Sequence, residues 1–237
     1  MIRNLIFDVG MNNAEDTEFY LKKGFRVVAI EANPELVKAA RRKFIFSILL
    51  GRLTLLNVGI AAEKGNFPFY INKTCQEWSS LIKEIGGRGD QYEEIRVNTV
   101  TLEALLKEYG VPYYLKIDIE GMDNAAVNAM RELDDRPRYV SVETGPGPEW
   151  LDNLYVLSYR RFKLLDQTKV QQSACPCPAL EGKFVKHCFR AGSSGPFGKE
   201  TPGEWKSYGE VRKEWLDYLA LPQDDKNLWY DIHARFD

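Results

Sequence analysis

The stretch Phe7-Asp8-Val9-Gly10-Met11-Asn12-Asn13-Ala14-Glu15-Asp16-Thr17 decides the fold. Its apolar start reads as the end of a strand, Gly10 opens a turn of small residues, and the acidic pair Glu15 and Asp16 begins a helix. In an open α/β sheet the crevice beyond the C-terminal strand ends receives the ligand, and a glycine there lets the backbone come close to it. Gly10 is the expected point of contact. A dinucleotide calls for G-x-G-x-x-G, with its pyrophosphate against free helix N–H groups, but the pattern here is Gly10-x-Asn12-x-Ala14. The second glycine is missing, and acidic residues at the helix start disfavour a bound phosphate. A ligand with a zwitterionic amino-acid end suits this turn better.

Outward from that turn, strand-like runs alternate with helix-like ones, as in a parallel sheet covered by helices. Strands are expected at 5–9, 26–31, 53–58, 113–117 and 139–143, with further extended pieces at 66–71 and 97–100. Helices are expected at 15–23, ending at Gly24, then after Asn33 as N-cap with Pro34 behind it, and at 101–109 and 124–133. Residues 72–94 read as a mobile polar connection with one short helix, and Gly145-Pro146-Gly147-Pro148 as a loop. Farther on, a helix at 148–159, strands at 162–166 and 184–189, a Gly/Pro-rich run at 191–203 and a helix at 210–219 are expected. With 237 residues and 44% hydrophobic content, the chain reads as one domain: 1–150 as the ligand-binding core, 151–237 as sheet completion with substrate-side loops.

Glu31 follows the glycine turn by about 20 residues, the spacing at which a carboxylate accepts hydrogen bonds from both ribose hydroxyls of an adenosine. On the strand at 113–117 and just beyond it, Lys116 and Asp118 share one face and Ile117 and Ile119 the other. Asp118 therefore points to the same crevice as Gly10 and Glu31.

Three motifs in order, Asp8-Val9-Gly10-Met11-Asn12, Glu31-Ala32-Asn33-Pro34 and Lys116-Ile117-Asp118-Ile119-Glu120-Gly121, resemble those of the FkbM-type methyltransferases and span about half the chain. Ser79-Ser80-Leu81 and Thr99-Val100-Thr101-Leu102 are also similar to connecting segments of that family. The resemblance implies a Rossmann-like class I methyltransferase fold, with a mostly parallel sheet and helices on both faces. It also implies S-adenosylmethionine as cofactor and, as the usual case, a hydroxyl oxygen as methyl acceptor. The cofactor-side set expected is Asp8, Gly10, Asn12, Asn13, Thr17, Glu31, Ala32, Asn33 and Asp118, with Gly59 and Ile60 just past the third strand. Ala14 stands where family members often carry glycine.

Methyl transfer to an alcohol needs in-line placement and removal of a proton, so a carboxylate near the acceptor is expected. Asp118, Glu143 and Glu120 are the candidates, each at a strand end, with His187 more distant. Their plainer roles are a turn cap for Asp118 and an ion pair for Glu143, and close carboxylates are also hard oxygen ligands for a divalent cation. No metal is expected, since Cys175, Cys177, His187 and Cys188 lack an attested zinc spacing. Trp78, Ser79, Ser80, Gly86, Gly87 and Gly89 form one candidate lid, and Ser193–Gly198 with Trp205 and Tyr208 a second.

Thirty-two basic and 34 acidic residues give a net charge of −2, which offers no overall attraction to nucleic acid or an anionic membrane. A small-molecule or saccharide acceptor fits better, and the absence of a signal-peptide layout points to the cytoplasm. Two readings of other chemistry stand beside the first: a nicotinamide-dependent oxidoreductase on a similar sheet, and a protein that binds S-adenosylmethionine without turnover.

Overall fold

The computed structural model describes residues 1–145, 147–222 and 229–237. Along the chain these form β1 (Ile2–Val9), α1 (Glu15–Lys22), β2 (Arg26–Ile30), α2 (Pro34–Lys43), α3 (Ile45–Leu49), β3 (Leu53–Leu56), β4 (Gly59–Ile60), β5 (Gly65–Asn72) and α4 (Lys83–Gly86). Then come β6 (Tyr92–Val100), α5 (Leu102–Tyr109), β7 (Pro112–Ile117), α6 (Asp123–Ala129), β8 (Tyr139–Glu143), α7 (Glu149–Val156), β9 (Arg161–Asp166), α8 (Tyr208–Leu219) and β10 (Tyr230–Arg235). Seven strands pair in the order β3-β2-β1-β7-β8-β10-β9, all running one way except β10, which is antiparallel to both neighbours. Order reverses beside β1, so the C-terminal ends of β1, β2 and β7 frame the crevice. A three-stranded sheet, β4-β6-β5, stands beside it.

Period-two alternation divides β1 between two cores: Leu5, Phe7 and Val9 enter one and Ile6 the other. Residues of α5, α6, α7 and α8 close the first core. The second is closed by Phe19 and Tyr20 of α1 and Ala40 of α2, and by Val170, Phe189 and Phe197 from the long segment after β9. Phe197 stacks on Tyr114 at 4.9 Å between ring centroids. Among the described residues no helix is long and apolar enough to cross a membrane.

Local signals account for most boundaries. Gly24 at φ 95° ends α1 in a Schellman turn, with Phe25 N–H donating to Tyr20 and Gly24 N–H to Leu21. Asn33 caps α2 by accepting from Glu35 N–H at 3.0 Å, Thr101 caps α5, and Ser207 with Glu210 forms a capping box on α8.

Two expectations are corrected, and one strand lies outside all of them. Residues 184–189 are not a strand: His187 and Phe189 turn their rings onto Phe19, so the segment packs by side chains instead of pairing its backbone. The polar connection is shorter than expected, because β6 begins at Tyr92 and pairs with β5 through eight residues. The antiparallel strand β10 was not expected at all. The Gly145-Pro146-Gly147-Pro148 loop includes Pro146, which lies outside the described residues.

The segment after β9 is held to α1 by one fully buried ion pair, in which Lys23 Nζ donates to Glu200 at 2.7 and 2.9 Å. A buried charge that loses its partner costs about 3–5 kcal/mol, whereas apolar replacement of both partners is close to neutral. Lys23→Met is therefore expected to lower the stability read from urea unfolding by about that amount, and Lys23→Met/Glu200→Gln, whose amide oxygen can still accept from Leu180 and Glu181 N–H, to recover part of it.

Candidate active site

The turn after β1 is built by backbone and finished by one lysine. Gly10 and Met11 N–H both donate to Ile30 O at 3.0 Å, and Gly10 has φ 83°. A Cβ on Gly10 would lie 1.7 Å from Asp118 O. Glycine is thus required by the contact between the β1 and β7 turns, a constraint separate from any ligand. Ala14 adopts φ 63° at the start of α1, a left-handed conformation in which a Cβ is strained and glycine would relieve the strain.

Lys116 Nζ donates to Gly10 O at 2.7 Å and lies 3.3 Å from Asp8, 3.5 Å from Asp118 and 3.9 Å from Asp16. Burial alone would lower the lysine's pKa, but Asp8, Asp118 and Asp16 hold it well above the ordinary value. Asp16 is pushed up to about 7, chiefly by burial and against the pull of Lys116. Asp8 also accepts from the Thr17 hydroxyl at 2.5 Å. Asp8, Thr17 and Asn33 are buried and do not line the cavity; they brace its wall.

Glu31, just past β2, accepts from Asn12 N–H at 2.8 Å through one carboxylate oxygen and from Asn33 N–H at 2.7 Å through the other. It ties the first two crossover turns together. Each oxygen keeps a lone pair for a ligand hydroxyl. Burial raises its pKa, partly offset by those two N–H groups.

Beyond β7 the chain turns sharply, with Glu120 at φ 49° and Gly121 at φ 97°. Asp123 caps this turn by accepting from Ile119 and Gly121 N–H, and Ser80 donates to Glu120 O at 2.6 Å. The cap is thus Asp123 and not Asp118, which pairs with Lys116. The carboxylates of Asp118, Glu120 and Glu143 converge, with oxygens within 4.8 Å of one another. Burial first, and the charge of Asp118 next, push Glu120 up to about 8 and Glu143 up to about 10. Among the described residues no cation lies within ion-pair distance of Glu143. Cys175, Cys177, His187 and Cys188 form no comparable grouping among the described residues.

These groups line one cavity of about 500 Å³, together with Gly10, Asn12, Asn13, Ala32, Gly59 and Ile60. Trp78 and Ser79 of the first candidate lid line it, and Gln76 donates to the Asn12 side chain at 3.1 Å. Ser80, Gly86, Gly87 and Gly89 stand outside it. The second candidate lid is corrected: Ser193 through Gly198 are buried, and Trp205 lies over Lys163, so this stretch is core. Its neighbours Ala191 and Gly192 reach the cavity instead. His187 lies against Phe19, away from the cavity, and His233 is buried in β10 with its pKa pushed down to about 3 by desolvation. Arg88, Met122 and Trp229 also line the cavity, and no sequence spacing marks them.

A family model described as the methyltransferase FkbM domain matches residues 8–167. The chain belongs to the FkbM methyltransferase family. The family's domain is described as a methyltransferase domain, for which S-adenosylmethionine is the implied donor, and here it lies on a mostly parallel Rossmann-like sheet. Among curated proteins none matches this FkbM chain. It is similar to a methyltransferase FkbM from Methylobacillus flagellatus KT at 16% identity and TM-score 0.43, over 69% of this chain and 40% of that one. A SAM-dependent O-methyltransferase from Thermotoga maritima shares 12% identity at TM-score 0.41, over 98% of this chain and 59% of that one. A precorrin-6y C5,15-methyltransferase from Geobacter metallireducens GS-15 shares 13% identity at TM-score 0.42, over 100% and 82%. The FkbM chain thus spans less than half the length of the Methylobacillus protein and about three-fifths of the Thermotoga one.

The donor set fits the implied cofactor. Seven carboxylates against two cations, Arg88 and Lys116, line the cavity, which suits a cationic sulfonium with an ammonium end and repels a pyrophosphate.

Raised carboxylate pKa values give the empty protein a definite pH dependence. Asp16, Glu120 and Glu143 keep protons in the folded state that the unfolded chain has released above about pH 4.5. This contribution is largest below the unfolded pKa and is lost as pH rises through the folded one. The thermal midpoint of the unliganded protein is expected to fall between about pH 5 and 10, and Glu143→Gln to flatten that fall, most clearly above about pH 8, as scanning calorimetry would show.

Proposed function

We propose that the protein transfers a methyl group to a hydroxyl oxygen of a small metabolite or saccharide. The observation that carries this reading is the convergence of Asp118, Glu120 and Glu143 in the same cavity as Glu31. Clustered carboxylates accept hydrogen bonds from neighbouring hydroxyls, and Trp78, which also lines the cavity, offers a ring for the apolar face of a sugar.

S-adenosylmethionine supplies an electrophilic methyl on a cationic sulfur. Glu31 would take the ribose hydroxyls, with the Gly10, Asn12, Asn13 and Ala32 turns and Gly59–Ile60 enclosing the rest. Asp118, held by Lys116, would face the cationic part. Glu143 would take the acceptor's proton, with Glu120 beside it orienting the hydroxyl. Its high proton affinity suits that role only once its own proton has left, so turnover is expected to gain from rising pH. The division of labour proposed is a cofactor core at 1–150 and a C-terminal part at 151–237. Supporting it, β9 and β10 complete the sheet, and Ala191, Gly192 and Trp229 reach the cavity.

The test is single-turnover methyl transfer to a panel of sugars, diols and amines. Activity is expected with hydroxyl acceptors and to rise between about pH 7 and 9. Glu143→Gln is expected to lower kcat by about 10²- to 10⁴-fold and to leave cofactor affinity unchanged. Full activity of that variant would remove Glu143 from the chemistry, and transfer to amines alone would remove oxygen as the acceptor. Loss of turnover in a chelator, restored by magnesium, would reassign the three carboxylates to a cation.

A further inference from the structure

The near-neutral charge of the whole chain conceals a local excess on α2 and α3. From Leu36 to Arg52 there are five basic residues, Lys38, Arg41, Arg42, Lys43 and Arg52, and no acidic one. The same stretch carries the three most exposed apolar side chains of the described residues, Phe46 at 77% and Leu49 and Leu50 at 74% each, with Ile45 beside them at 42%. Spaced at 45, 46, 49 and 50, they recur one helical turn apart, on one side. Phe44 and Ile48 point the other way, into the second core, and hold the segment to the fold. Elsewhere exposed apolar residues such as Val156, Leu180 and Phe184 are scattered. Folding therefore does not account for the outward set.

The charges around it are partly available. Lys43 pairs with Glu18 and Lys38 with Glu35, while Arg41 and Arg42 are exposed, with no carboxylate in ion-pair distance among the described residues. A second copy of this chain meeting the patch by two-fold symmetry would bring like charges face to face. A surface that accepts large apolar side chains and also presents anions at their margin matches both properties.

We propose that the α2–α3 corner docks on an anionic lipid bilayer, with Ile45, Phe46, Leu49 and Leu50 entering the acyl boundary and Arg41 and Arg42 meeting headgroup phosphates. Such a surface is interfacial and needs no spanning helix. It lies at the end of α2 remote from Pro34, and a ten-residue helix is about 15 Å long, so docking leaves the cavity open.

The test is co-sedimentation of the full chain with vesicles of phosphatidylcholine alone and of phosphatidylcholine with phosphatidylglycerol, at low and high salt. Binding is expected with the anionic vesicles only, and to weaken with salt. Phe46→Ser/Leu49→Ser and, separately, Arg41→Glu/Arg42→Glu are each expected to weaken it at least about tenfold while keeping S-adenosylmethionine binding and the thermal midpoint. Equal binding by the variants would overturn the proposal, as would no binding by the unaltered chain. A concentration-dependent dimer abolished by the same substitutions would assign the patch to a second copy and overturn it too.

Discussion

The buried ammonium of Lys116 is the constraint on which the site depends. It stands in the middle strand of the sheet, and its four oxygen partners come from three different elements: Asp8 and Gly10 at the end of β1, Asp16 in α1, and Asp118 after β7. One cation faces three carboxylates, the buried Asp8 and Asp16 and the partly exposed Asp118. Burial first, and the neighbouring charges of Asp8 and Asp118 after it, push the Asp16 pKa up to about 7 against the pull of Lys116. The lysine fixes where the glycine turn lies relative to Asp118. The close approach of Gly10 to the Asp118 carbonyl, which excludes any Cβ, fixes the same distance sterically.

From that joint the cavity acquires its chemical character. Glu31 spends one lone pair of each oxygen on a backbone N–H from the two flanking turns, so the group best placed for a ribose is also the one that shapes its surroundings. Across the cavity Glu120 and Glu143 are half-buried, and burial first, with the charge of Asp118 next, raises the proton affinity of both. The result favours cationic and hydroxyl-rich ligands over phosphates.

Legibility in the sequence followed the range of the interactions. Local signals placed the first five strands of the large sheet and the helices around them: Gly24 ending α1, Asn33-Pro34 opening α2, Thr101 opening α5. The candidate residues from the three motifs also came together, most of them on the cavity wall and Asp8, Thr17 and Asn33 behind it. Strand β10 escaped although Tyr-Asp-Ile-His-Ala-Arg alternates polar and less polar residues with the period of a strand, because it is short and lies far in sequence from its partner β8. Its Asp231 and His233 are buried by the sheet, a tertiary effect that pattern does not report. Residues 184–189 misled in the opposite direction, since their apolar content serves ring packing on Phe19. Ser193 to Gly198 looked like a lid by composition, yet Phe197 fills the second core and draws the run inside. Arg88, Met122 and Trp229 reach the cavity only through folding, and no local spacing could have marked them.

Glu31 is proposed to hold S-adenosylmethionine in this cavity, and calorimetric titration of the unaltered chain and of Glu31→Ala, with S-adenosylmethionine and separately with NADH, addresses this directly. Binding of the sulfonium compound, clear weakening by the substitution and no heat from NADH are expected. Binding of NADH alone, or S-adenosylmethionine affinity unchanged without the Glu31 carboxylate, would contradict it.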